Sequence, residues 1–307
     1  MKLDRRALLV GGAASGLAAC VPLDITPSGR LAAKLRIIEA AAGGTLGVSI
    51  RNVASGQTLG YKADQLFGHC SSFKLSLAAL VFWLDQTGEI DASERLRWTQ
   101  EDLMSVSPFT TKRLGEGATV LELAESAQKY SDNAAANMLL AYLGGPDLNG
   151  REVLTRFWRS LGDQTSRLDR TEPSLNIVPP GEVRDTTSPA AMALTLQNTL
   201  FGNALSPDNR TTLRQWMADT ATGANRVRAG LPDDWTSGDK TGTSLWPGMG
   251  SLYVDIGFAT PPGGPPITFA AYYRAKGTHN GMDPASENVL RQVGKVLAEF
   301  SPLSQFT

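Results

Sequence analysis

Residues 251–273, SLYVDIGFATPPGGPPITFAAYY, set the architecture of the chain. Residues 251–259 and 267–273 are apolar and rich in β-branched or aromatic side chains, a composition that favours strands. Residues 261–266 between them are prolines and glycines, which do not occur inside a helix or a sheet. We therefore predict two strands near the C-terminus, joined by this linker.

Residues near the N-terminus predict the rest of the sheet. Residues 30–42 show apolar positions at helical spacing, and residues 46–52 and 58–61 have the composition of two strands around a turn. Residues 287–300 form a final amphipathic helix, and the middle is mainly helical. We expect an α/β plus all-α fold of two lobes: one antiparallel sheet built from both termini with flanking helices, and a helical lobe in the middle. A cleft between two lobes is a common ligand site.

Composition excludes several classes of function. The 307 residues carry 29 Lys and Arg against 30 Asp and Glu, so the net charge of −1 gives no sign of a nucleic-acid partner. The two histidines, His69 and His279, and the two cysteines, Cys20 and Cys70, are scattered, which argues against a zinc site. No G-x-S-x-G motif occurs to serve a Ser-His-Asp triad. We expect chemistry without a metal, a cofactor or a histidine base.

The first residues indicate export. Residues 1–19 combine basic residues with a small, apolar stretch too short to span a bilayer, as in a signal peptide. Cys20 follows Leu17-Ala18-Ala19, as at a lipoprotein cleavage site, and Arg5-Arg6 resembles a twin-arginine signal. An ordinary cleaved signal with an incidental Cys20 is the alternative. We expect a periplasmic protein or a lipoprotein anchored at Cys20 and facing the periplasm.

The remaining residues divide simply. Residues 20–29 are predicted to form a tether and residues 30–307 a single domain. Its sheet lobe would comprise about residues 30–68 and 222–307, and its helical lobe about residues 69–221.

Ser71-Ser72-Phe73-Lys74 is the first of four chemically suggestive motifs. If it opens a helix, Ser71 and Lys74 share one face, and the following residues 75–84 are apolar on every side. A lysine desolvated in this way can lose its charge and activate a serine. Ser126 and Lys129 have the same spacing, but they belong to a mixed helix and are interpreted as a solvated face.

The second motif, Tyr130-Ser131-Asp132-Asn133, precedes an apolar helix. Such residues are first of all helix caps, and we expect that role for Asp132. The functional interpretation makes Ser131 a proton relay and Asn133 an amide donor.

The third motif contains Glu172, Pro173 and Asn176. Glu172 and Asn176 are one helical turn apart, so a carboxylate and an amide could hold a water between them. The alternative is a solvated capping glutamate. Arg170 and Asp185 are expected to clamp the ends of this loop.

The fourth motif is Lys240-Thr241-Gly242-Thr243. Lys240 offers a charge and the two threonines offer hydroxyls for a carboxylate. Gly242 is expected to let a ligand approach the backbone closely.

Together, from about residue 30 to the C-terminus, the order S-x-x-K, S-D-N, a glutamate loop and K-T-G resembles the class A serine β-lactamases. The resemblance implies the family's two-lobe fold and a β-lactam substrate. It implies that Ser71 becomes acylated, that Lys74 or Glu172 is the acylation base, and that Ser131 passes the proton to the ring nitrogen. Glu172 with Asn176 would activate the deacylating water.

The resemblance also implies the substrate contacts. The backbone N–H groups of Ser71 and Thr243 would form the oxyanion hole. Lys240, Thr241 and Thr243 would bind the substrate carboxylate, and Asn133 its side-chain amide.

Three departures from the family pattern concern specificity. Residues 251–255 lack the arginine that many members place on the strand after K-T-G, and Arg226 matches the position that other members use instead. The alternative for Arg226 is an ordinary surface residue. Val106 stands where an aromatic side chain often guards the cleft. Ser244 stands where some carbapenem-hydrolysing members carry a cysteine that pairs with the one before the nucleophile.

Two other functions compete. A penicillin-binding D-alanyl-D-alanine peptidase or related esterase would share the nucleophile but lack the loop with Glu172 and Asn176. A binding lipoprotein with a dead site is disfavoured because every catalytic position is filled. We expect a monomer whose partner is the small-molecule substrate.

Overall fold

The computed structural model describes residues 26–145 and 148–303. The predicted leader, Cys20 and residues 21–25 of the predicted tether lie outside these ranges. Helix α1, Pro27–Ala42, begins three residues before the predicted start, because the Thr26 side chain caps it and Pro27 suits the first turn. Residues 27–29 are therefore helix and not tether.

The predicted antiparallel sheet is present and has five strands in the order β2-β1-β9-β8-β7. The predicted C-terminal strands β8 and β9 lie next to each other in it, and β1 from the N-terminal region pairs with β9. The sheet is thus built from both ends of the chain. Its strands are β1 (Thr45–Asn52), β2 (Thr58–Tyr61), β7 (Thr236–Ser244), β8 (Leu252–Thr260) and β9 (Ile267–Arg274).

Most of the helices come from the chain between β2 and β7, with two-stranded pairings among them. The short strands are β3 (Phe67–Gly68), β4 (Arg95–Leu96), β5 (Ala118–Thr119) and β6 (Thr186–Thr187). The helices are α2 (Phe73–Thr87), α3 (Pro108–Lys112), α4 (Val120–Lys129), α5 (Asn133–Tyr142), α6 (Gly150–Ser160), α7 (Pro189–Leu200) and α8 (Pro207–Ala218), followed at the C-terminal end by α9 (Pro284–Leu303).

The two faces of the sheet belong to two hydrophobic cores, which is why β8 and β9 are apolar on both sides. Helices α1 and α9 pack on one face with Tyr253 and Phe269. The opposite face, with Val254 and Ile256, joins the core of the helical part. Alternate residues of each strand therefore point toward different neighbours.

Helix α2 is buried on nearly every side, as its sequence predicts. It runs through the core of the helical part and begins at Phe73, two residues after the predicted nucleophile Ser71. No helix within residues 26–145 and 148–303 combines the length and apolar character needed to cross a membrane.

His69 is a buried histidine just before the turn that leads into this helix. Its ring is fully buried and stacks on Trp158 of α6, with ring centroids 4.9 Å apart and planes 6° from parallel. Burial lowers the pKa of His69 to about 4, although the nearby carboxylates of Asp163 and Asp185 oppose that shift. The imidazole is therefore neutral in the folded protein at neutral pH.

This burial predicts a specific loss of stability in acid. With a folded pKa of about 4 against 6.5 for an ordinary histidine, the unfolded chain binds the extra proton between those two values, so stability falls as the pH drops through that window. From pH 7.5 to pH 5.0 the loss due to His69 should be about 2 kcal/mol. His69→Phe keeps a ring on Trp158 but has no imidazole to protonate. Between pH 7.5 and pH 5.0, its free energy of unfolding in urea should therefore fall by about 2 kcal/mol less than that of the unmodified protein. Equal losses in both proteins would contradict the prediction.

Candidate active site

Ser71 lies in a single 3₁₀ turn, Cys70–Ser72, that leads directly into α2. Cys70, which precedes it, has a left-handed backbone with φ of +47°. The turn places Ser71 and Lys74 on one face, as the spacing predicts, and Lys74 Nζ donates a hydrogen bond of 2.9 Å to Ser71 Oγ.

Lys74 is completely buried and has four oxygen neighbours. Besides Ser71 Oγ, its ammonium group donates to the Ser131 carbonyl at 3.0 Å and to Asn133 Oδ1 at 2.5 Å. It also lies 3.0 Å from Glu172 Oε1. Burial lowers the pKa of Lys74 toward the neutral form that could accept a proton, while Glu172 acts in the opposite direction.

Glu172 contacts the same hydroxyl next to Lys74. The Ser71 hydroxyl donates to Glu172 Oε1 at 3.2 Å, and Asn176 Nδ2 donates to the other carboxylate oxygen at 2.6 Å. Glu172 is 4% exposed, so it is not the solvated cap of the alternative interpretation. Both candidate bases, Lys74 and Glu172, are thus within hydrogen-bond reach of the Ser71 hydroxyl.

Asn137 is a site residue that the sequence analysis missed. Its amide accepts from the Glu172 backbone N–H at 3.0 Å and donates to the Glu172 carbonyl at 2.9 Å. Both backbone groups of Glu172 are therefore fixed by one side chain of α5. The signal was available, because Asn137 lies one helical turn after Asn133 on the same helix.

Ser131 separates the two lysines of the site. Its left-handed backbone, with φ of +59°, accompanies a carbonyl that faces Lys74, while its hydroxyl accepts a 3.1 Å hydrogen bond from Lys240 Nζ. Lys240 is also fully buried, and its ammonium group donates to the Thr241 carbonyl at 2.8 Å. Burial and then the nearby charge of Lys74 hold the pKa of Lys240 well below its usual range.

The remaining members of the S-D-N motif are structural in part. Asp132 caps α5 by accepting from Ala135 N, as predicted, and also accepts from the backbone N–H of Thr110. Asn133 donates one amide N–H to the Ser105 carbonyl at 3.0 Å. Its second N–H is the one left for a ligand.

The Glu172 loop, residues 168–185, is closed at its base by the predicted clamp. Arg170 Nε donates to Asp185 Oδ2 at 2.5 Å, and the other Asp185 oxygen accepts from the backbone N–H groups of Asp169 and Arg170. Arg170 and Asp185 therefore lie at the base of the loop and not in the cleft.

Gly242 is required by the protein itself. A Cβ atom there would lie 2.8 Å from the His69 carbonyl oxygen and 2.9 Å from Cys70 Cβ. These close neighbours belong to the segment that carries Ser71, and Gly242 also lines the cleft, where approach of a ligand to its backbone stays a prediction. Without a side chain, β7 packs directly against the nucleophile turn.

Arg226 is buried and is not the surface residue of the alternative interpretation. Its guanidinium donates to the Gly242 carbonyl at 2.9 Å and to Thr243 Oγ1 at 2.7 Å, and lies 3.4 Å from Glu287 Oε1. Thr241 Oγ1 is 2.6 Å from the hydroxyl of Thr222. Glu287 and Thr222 line the cleft and were not predicted, because no local pattern links them to Arg226 or Thr241.

The second S-x-x-K sequence lies apart from this cluster. Ser126 is buried in α4 and donates to the Leu123 carbonyl, so the expected solvated face is wrong for this residue. Lys129 pairs instead with Glu125 and Asp219.

Most of the predicted site residues line a cleft of about 410 Å³ between β7, α5 and the Glu172 loop. Val106, which is 62% exposed, and Met282 supply apolar groups at its rim. Lys74 and Lys240 lie beneath this lining. The cleft is lined by Ser71, Val106, Tyr130, Ser131, Asn133, Glu172, Asn176, Thr222, Asn225, Arg226, Thr241, Gly242, Thr243, Met282 and Glu287.

This arrangement suits acyl transfer. A serine nucleophile has two candidate bases within reach, and a second serine is held beside a buried ammonium group. Across the part of the chain that the structure describes, no group of three or more His, Cys, Asp or Glu side chains is placed to hold a metal ion.

Comparison with known proteins places this geometry in a family. The sequence profile of the beta-lactamase enzyme family matches residues 30–300. The chain is 40% identical to Beta-lactamase CTX-M-25 from Escherichia coli, covering 89% of this chain and 90% of that one. It is 43% identical to a beta-lactamase from Mycobacterium tuberculosis (strain ATCC 25177 / H37Ra), over 76% of each.

A solved structure is similar over nearly its full length. An ancestral class A beta-lactamase (GNCA) superposes with a TM-score of 0.81 at 44% identity, covering 88% of this chain and 99% of that one. The match of the profile, the identity to the two relatives and the shared fold all lead to the same assignment. The chain therefore belongs to the beta-lactamase enzyme family, and within it to class A.

Proposed function

We propose that this chain hydrolyses the amide bond of β-lactam antibiotics through an acyl-enzyme on Ser71, which a water activated by Glu172 then deacylates. The observation that carries the proposal is the position of the Ser71 hydroxyl, 2.9 Å from Lys74 Nζ and 3.2 Å from Glu172 Oε1. Membership of the family supports the same reaction.

In the acylation step, Ser71 Oγ bonds to the lactam carbonyl carbon and the ring C–N bond breaks. Lys74 or Glu172 takes the Ser71 proton, since both reach it. The departing nitrogen takes the Ser131 hydroxyl proton, and Ser131 receives in exchange, by way of that base, the proton that left Ser71. Lys240 beside the Ser131 hydroxyl supports this transfer. The backbone N–H groups of Ser71 and Thr243 stabilise the oxyanion.

Substrate binding uses the strand β7 side of the cleft. Lys240, Thr241, Thr243 and Arg226 bind the substrate carboxylate, and the free N–H of Asn133 contacts the side-chain amide. The hydrogen bond from Arg226 to Thr243 Oγ1 supports this role, because it places the guanidinium behind the threonine hydroxyl.

In the deacylation step, Glu172 takes a proton from the water that attacks the acyl carbonyl. Asn176 orients the carboxylate, and Asn137 fixes its backbone. The C–O bond to Ser71 then breaks, and the proton held by Glu172 passes to Ser71 Oγ, which restores both the free hydroxyl and the carboxylate. Arg170 and Asp185 hold the loop in place.

We also propose the organisation of the whole chain. Residues 1–19 direct export, Cys20 carries a lipid that attaches the protein to a membrane facing the periplasm, and the catalytic domain acts as a monomer. The basic start and the small residues before Cys20 support this proposal.

The Glu172 loop separates hydrolysis from the reaction of a penicillin-binding peptidase. Glu172→Ala should acylate but fail to deacylate, because the general base contributes about 10²–10⁴-fold. Mass spectrometry should show protein plus intact antibiotic that persists. Glu182→Ala, on the same loop but paired only with Arg184 in the ion pairs of the structure, is the matched control and should turn over normally.

Two results would contradict this assignment. Normal turnover by Glu172→Ala would remove the role given to Glu172. If the unmodified protein trapped penicillin stoichiometrically and permanently, it would be a penicillin-binding peptidase or related esterase and not a β-lactamase.

Arg226→Ala tests the carboxylate site. Loss of a charge-assisted contact, worth roughly 1.5–3 kcal/mol, should lower kcat/KM by about ten- to a hundredfold. A substrate whose carboxylate is esterified should lose less when Arg226 is removed, since the contact is already broken. Equal losses for the acid and the ester would show that Arg226 acts only by supporting the fold.

A further inference from the structure

Residues 176–178 of the Glu172 loop are held by three different side chains. Their three consecutive carbonyls, at Asn176, Ile177 and Val178, each accept a side-chain hydrogen bond. The donors are Ser244 Oγ at 2.8 Å, Arg170 Nη2 at 2.8 Å and Arg274 Nη2 at 2.9 Å, in that order. They come from β7, from the loop itself and from β9, so the 176–178 segment is bound to the sheet at two points.

Arg274 also binds a second backbone carbonyl, which lies outside the Glu172 loop. It is the last residue of β9, where it pairs with both Thr45 and Leu252, so its backbone is fixed between two strands. Its Nη1 donates at 3.1 Å to the Met249 carbonyl, in the loop between β7 and β8. One half-buried guanidinium thus links the sheet, the 245–251 loop and the 176–178 segment.

We propose that Arg274 is a positioning residue for deacylation, acting through the Val178 carbonyl on Asn176 and Glu172. This inference rests on the proposed role of Glu172 as the base for the deacylating water. Val178 is two residues after Asn176, whose Nδ2 holds Glu172 Oε2 at 2.6 Å. A shift of the 176–178 segment therefore moves the amide that orients the carboxylate.

The same geometry separates deacylation from acylation. Ser71 and Lys74 are placed by α2 and the turn before it, and none of their hydrogen bonds in the described structure involves Arg274. Lys74 can take the Ser71 proton even when Glu172 is displaced, so loss of Arg274 should leave attack by Ser71 largely intact. A small misplacement of a catalytic group is enough to cost up to about a hundredfold in rate.

The test compares Arg274→Ala, Arg274→Gln and Arg274→Lys with the unmodified protein, below the unfolding midpoint of each. Rapid mixing with a chromogenic cephalosporin and quenching for mass spectrometry gives acylation and deacylation rates separately. Arg274→Ala should deacylate about ten- to a hundredfold more slowly, with acylation within about twofold. Acyl-enzyme should accumulate, and kcat and KM should fall together so that kcat/KM is nearly unchanged.

The conservative variants test the hydrogen bond. Lysine keeps a charged donor and glutamine a neutral one that reaches less far, so Arg274→Lys should regain more deacylation than Arg274→Gln. Either variant also provides the measurement if Arg274→Ala does not fold.

Arg214→Ala is the matched control for lost stability. Arg214 is also a partly buried arginine whose Nη1 donates to a backbone carbonyl, that of Leu200, at 2.7 Å. It should lower the unfolding midpoint without accumulating acyl-enzyme.

Two results would overturn the proposal: unchanged deacylation in all three Arg274 variants, or equal slowing of acylation and deacylation in them. The unmodified protein and Glu172→Ala report separately on the proposed function. If the former turns over and the latter traps antibiotic, any failure belongs to Arg274 alone. If the unmodified protein never turns over, both proposals fall.

Discussion

The buried ammonium group of Lys74 is the constraint on which the site depends. Moving a charged amine out of water costs several kcal/mol unless oxygen atoms replace its hydration. Here four oxygens do so, from Ser71, Ser131, Asn133 and Glu172. They belong to three separate parts of the chain, so burying one charge draws the nucleophile turn, the start of α5 and the Glu172 loop together.

A second buried ammonium group, that of Lys240, makes this arrangement electrostatically demanding. The charge of Lys74 contributes to the lowered pKa of Lys240, and Ser131 lies between the two lysines with its carbonyl toward one and its hydroxyl toward the other. The left-handed backbone of Ser131 allows both contacts to be made by one residue. Ser131 is therefore held within hydrogen-bond reach of both ammonium groups.

Much of the fold and most of the cleft could be predicted because their signals are local. The apolar, β-branched and aromatic composition of residues 251–259 and 267–273 predicts two strands, and the spacing of Ser71 and Lys74 predicts a shared helical face. Family resemblance supplied the joint meaning of the motifs, which no single motif carries. The parts that the sequence did not reveal depend on contacts between distant segments. The close approach of the His69 backbone requires glycine at position 242. Arg274 binds the carbonyl of Val178, which is 96 positions away in the sequence.

Peptide mapping of the quenched reaction tests whether Ser71 carries a transient acyl group. Milliseconds after mixing with a penicillin, we expect the mass of intact antibiotic on the peptide containing Ser71, and we expect it to disappear as substrate is consumed. Ser71→Ala should show neither adduct nor turnover at an unchanged unfolding midpoint. An adduct on the peptide containing Ser126, or one that forms in Ser71→Ala, would contradict the account.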